Sequence, residues 1–120
     1  MQKEEVYRLL ELTENDLYLE LGRISETATE TQGWRSPTDW QFWEWGKQWF
    51  NENNNKIHES VCTNSRIQVI IDKGERIDDI HLCFLIIDSI AEVFKPVHIP
   101  LISVLIVKKG LVLYCGSKTR

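Results

Sequence analysis

Three histidines and three cysteines are the residues of this chain best suited to chemistry, and their spacing restricts what they can do. His58 and Cys62 stand four apart, so on a helix they share a face, and His81 and Cys83 follow further on. Two imidazoles and two thiolates would suit a tetrahedral zinc ion. The pattern argues against one. On a helix His81 and Cys83 point about 160° apart. There is no C-x-x-C pair, and position 62 holds Cys where a two-histidine zinc protease needs its second His. Neither a metal site nor a cofactor is expected.

Nucleophilic catalysis needs a thiol or hydroxyl beside a base that a third group orients. Cys62, Cys83 and Cys115 with His58, His81 and His98 supply the residue types, but nothing local pairs them. Cys83 sits in HLCFLI, a setting that implies burial and an inert thiol. Asp78 and Asp79 are neighbours that cannot face each other on a helix; they suit the charge at a helix start. The six glycines are isolated and build no phosphate loop. Gly46 either permits close helix approach or costs about 1 kcal/mol relative to alanine. The expectation is a protein without catalytic residues, not an enzyme.

Bulk properties narrow the classes further. Fourteen basic and 18 acidic residues give a net charge of −4, and the basic residues are scattered, Lys108-Lys109 being the tightest pair. That composition excludes nucleic acid as the expected partner, since such binding rests on Lys and Arg against phosphates. Three widely spaced cysteines make no disulfide framework, so reduced thiols and a cytoplasmic location are expected. The opening MQKEEVYRLL lacks the apolar core of a signal peptide. The longest apolar runs, 82–87 and 101–107, fall far short of the roughly 20 residues a spanning helix needs, so constitutive membrane insertion is not expected.

Aromatic residues carry the strongest binding signal. Trp34, Trp40, Phe42, Trp43, Trp45, Trp49 and Phe50 crowd into 17 positions. On a helix Trp40, Trp43 and Phe50 continue into Ile57 and Val61 on a stripe of period near 3.5, while Phe42, Trp45 and Trp49 fall on other sides. Either all pack into the core with their indole N–H groups bonded at its edge, or some stay exposed as anchors for a protein partner. Trp45, Trp49 and Phe42 are the candidate partner-binding residues. The function this implies is a noncatalytic interaction module, an adaptor or a subunit of a larger assembly. Two alternatives stand beside it: a membrane-active or self-assembling effector that releases the apolar region 77–115, and a small metal- or thiol-dependent enzyme.

The elements that would position these residues are mostly helical. Residues 2–11 are amphipathic. Thr13 is placed to cap a second short helix carrying Leu17, Leu21 and Ile24, which Gly22 would end early. Residues 25–35 form a polar loop. Ser36 as N-cap and Pro37 at the first position open a helix running to about Cys62, with a break near Asn53 as the alternative. Residues 66–72 suit strand or helix equally. Residues 77–94 read as a helix apolar on nearly all sides, central to the domain, with Asp88 on a narrow solvent stripe beside Glu92 and Lys95. Pro96 stops it. Pro100 then starts a helix ending at Gly110, or else 101–115 is a β-hairpin. The expected fold is a compact, mostly α, single-domain bundle of four or five helices over residues 1–120, its main body 36–115. The alternative is α+β with a small C-terminal hairpin.

Overall fold

The structure, a computed structural model, describes residues 3–25 and 38–116. It is a compact, mostly α fold. Among the described residues there are six α-helices and no strand: α1 (Lys3–Leu10), α2 (Glu14–Ile24), α3 (Asp39–Cys62), α4 (Ser65–Lys73), α5 (Asp79–Ile90) and α6 (Ile99–Lys109). A π-helical turn, Val112–Gly116, closes the chain. The helix count exceeds the four or five expected because the ambiguous stretch 66–72 is helical. Asn64 caps it by accepting from the amides of Arg66 and Ile67, and Gly74 ends it at φ +64°, the left-handed geometry glycine adopts without strain.

Local chemistry explains most boundaries. Thr13 caps α2, accepting from the Asp16 amide. The helix does not stop at Gly22; it runs through Ile24, with the Ser25 amide closing onto the Gly22 carbonyl. Thr38, not Ser36, caps α3, in a reciprocal capping box with Gln41. Ser36, Pro37 and Trp34 lie outside the described residues, as does the loop reading for residues 26–35. The helix α3 runs unbroken through the asparagine cluster, where Asn53 donates to the Trp49 carbonyl and Asn54 accepts from the Tyr114 hydroxyl.

The helix α5 is shorter than 77–94. Asp78 caps its start, and after Ile90 the chain passes through turns toward Pro96. Its Asp88, with Glu92 and Lys95, is exposed as expected. The central helix is α6 rather than α5: every residue from Ile99 to Ile106 is buried. It packs against α5, α1, α2 and the C-terminal turn. Pro100 sits in its first turn, Lys108 and Lys109 in its last, and Gly110 (φ +95°) follows, so the hairpin alternative is not realised.

Candidate functional site

The aromatic helix α3 divides its side chains between two environments, and α2 decides which goes where. The two helices cross with their backbones in contact, and most of the packing of α3 is against α2. Phe50, Ile57 and Val61 enter the core. Trp43 packs on its edge and donates its indole N–H to Asn15 Oδ1 at 3.0 Å. Lys47, which interrupts the stripe, lays its ammonium 5.1 Å from the Trp43 ring and 5.5 Å from that of Tyr18.

Of the three expected binding residues, Trp49 faces the core. It stacks on the buried His98 ring at 4.4 Å and meets Phe94 at 5.9 Å. Phe42 and Trp45 are half-buried and stay outside the core cluster. They pair edge to face at 5.8 Å, and the Arg23 guanidinium covers the Phe42 ring at 5.0 Å. Arg23 is itself held by Asp39 at 3.1 Å. Trp40, assigned to the core stripe by its spacing, is instead 62% exposed. A period of 3.5 drifts against the true helical period; over 17 residues Trp40 ends about 100° away from Ile57. Helical angles, not heptad spacing, were the signal that could have found it.

The histidines and cysteines come together differently from any expectation. Cys62 and Cys115, 53 residues apart, are joined by a disulfide with Cα atoms 5.5 Å apart. The expectation of reduced thiols is therefore corrected for this pair. Nothing local announces it: the partners meet only because the chain from α4 to α6 returns its end to the last turn of α3. His58, one turn before Cys62, bonds the Tyr114 carbonyl through Nε2 at 3.2 Å. A carbonyl only accepts, so Nε2 carries the hydrogen. A groove of about 520 Å³ opens here, lined by Asn54, His58, Glu59, Gln68 and both cysteines, among others.

Cys62, the last residue of α3, is tied up in the bond to Cys115. Cys83 is fully buried, away from this pair, and burial pushes its thiol up to about 12. His81 is exposed and bonds Asp78. Among the described residues no three His, Cys, Asp or Glu side chains converge on a common point. No described helix is long and apolar enough to cross a membrane. Comparison with protein-family models, with curated proteins and with solved structures finds no match for this chain.

Proposed function

We propose that the protein is a noncatalytic protein–protein interaction module, an adaptor or a subunit of a larger assembly, and that it docks through the first half of α3. The observation that carries this reading is the Phe42–Trp45 pair, left outside the core. Rigid aromatic rings release much water on binding at small entropic cost and dominate interface hot spots. Arg23, over the Phe42 ring, and Asp39, which holds it, supply the polar rim such surfaces have. Trp49 leaves the candidate set for the core side. The net charge of −4 favours a protein over a nucleic acid as partner.

The cytoplasmic placement rested on reduced thiols. The Cys62–Cys115 bond supports an oxidising compartment instead, where such bonds persist.

The test is a photo-cross-linking side chain at position 45 in the producing cells, with position 51, exposed and polar about 120° round the same helix, as control. One stoichiometric protein captured at 45, absent at 51 and lost with Phe42→Ala, is the expected result. Recovery of the protein alone from both positions would remove the reading.

A further inference from the structure

We propose that the Cys62–Cys115 disulfide is a reducible clasp, opened by a dithiol reductant that enters the groove over it, and that its opening releases the C-terminal turn Val112–Gly116 from α3.

Asn54, His58 and Cys62, each four residues from the next, form one ridge of α3 against the turn. Asn54 accepts from the Tyr114 hydroxyl at 2.8 Å, His58 bonds the Tyr114 carbonyl, and Cys62 is bonded to Cys115. Only the last is covalent. The apolar hold of the turn is uneven, with Tyr114 and Cys115 against the core. Leu111 and Cys115 are buried, but Val112 and Leu113 between them are 58% and 76% exposed. Tyr114 meets the edge of Phe50 at 6.4 Å. With the clasp open, the noncovalent contacts of the turn, among them the Asn54 and His58 hydrogen bonds and the Tyr114 ring contacts with Phe50 and His58, stand against the entropy of ordering the segment.

Access and direction follow from the same geometry. Both cysteines line the groove, whose volume of about 520 Å³ admits a small dithiol. Cys62 is slightly exposed and Cys115 not at all, so attack falls on Cys62. The reductant's thiolate bonds to Cys62 Sγ, the Cys62–Cys115 bond breaks, and Cys115 leaves as a thiolate that takes up a proton. The reductant's second thiol then displaces Cys62 from the mixed disulfide. The dithiol becomes a cyclic disulfide, having given two electrons and two protons, and both cysteines end as thiols. This inference stands apart from the docking surface on α3.

The experiment treats the folded full-length chain with dithiothreitol near pH 8, without denaturant. Thiols are counted by maleimide mass after quenching and unfolding: one from Cys83 in the oxidised form, three in the reduced form. Chymotrypsin then probes Leu113 and Tyr114. The expected result is conversion from one thiol to three, cleavage in the turn at least tenfold faster, and helical circular dichroism retained. The Cys62→Ser/Cys115→Ser double variant should show the same fast cleavage without reductant. The proposal is overturned by a bond inert until denaturant is added, by reduction that leaves cleavage unchanged, or by loss of the whole helical signal on reduction. If the double variant does not fold, the dithiothreitol arm alone decides.

Discussion

Gly22 of α2 and Gly46 of α3 face each other where the two helices cross, with no side chain between the backbones. A Cβ on Gly22 would stand 1.7 Å from the Phe42 carbonyl oxygen, and one on Gly46 1.8 Å from that of Tyr18. The obstacles are backbone atoms and cannot rotate away. This contact sets the angle at which α3 is held, and so which of its aromatics turn inward.

Gly22→Ala and Gly46→Ala should therefore each destabilise the fold. Helix propensity alone favours alanine by about 1 kcal/mol, so the expected sign is opposite to the intrinsic one. Overpacking commonly costs about 1–3 kcal/mol, and a backbone obstacle places these at or above the upper end. Denaturant midpoints of the two variants check this; an unchanged or raised midpoint would show that the helices separate without loss.

Trp49→Ala and Trp45→Ala should differ. Trp49 loses its stack on His98 and its contact with Phe94, which amounts to about 3 kcal/mol for a large ring against a core. Trp45 contacts Phe42 outside the core, and its removal should cost about 1 kcal/mol or less. Equal losses in urea unfolding would contradict the division of α3 into an inward and an outward aromatic set.

Removal of the disulfide should lower stability by about 4 kcal/mol, from the loop-closure entropy of a 53-residue separation. For a chain of this size that corresponds to a fall of about 15 °C in Tm. Calorimetry of Cys62→Ser/Cys115→Ser measures it. A negligible change in Tm would mean that the bond constrains the unfolded chain little.

Asp78 offers a pH test. The His81 ring, at 2.5 Å, and then the His81 amide hold its carboxyl below the ordinary value of 3.8. A carboxylate depressed in the folded state contributes stability above its unfolded pKa and loses it as pH falls through the folded value. The start of α5 should thus be well capped near neutral pH and loosen at pH below the ordinary carboxylate range. A carbon NMR titration should place the Asp78 midpoint below 3.8, and His81→Ala should move it upward; an unmoved midpoint would exclude the His81 contact as its cause.

Local residue types determined much of this protein. Thr13 as a cap and the solvent stripe at Asp88 rest on interactions within a few residues, so they were legible in order along the chain, whereas 101–115 suited helix and hairpin alike until α6 formed between Pro100 and Gly110. The stretch 66–72 was not legible either, because Ile67, Val69, Ile70 and Ile71 satisfy both periodicities until the Asn64 and Gly74 caps resolve them. Tertiary structure alone decided three things. It joined Cys62 to Cys115, since residues 53 apart meet only through the path of the intervening helices. It made α6 central, because α5 and α6 are similarly apolar and only their neighbours distinguish them. It left Phe42 and Trp45 outside the core while taking Trp49 toward it, because a glycine-to-glycine crossing fixes the rotation of α3 and no single helix carries that information.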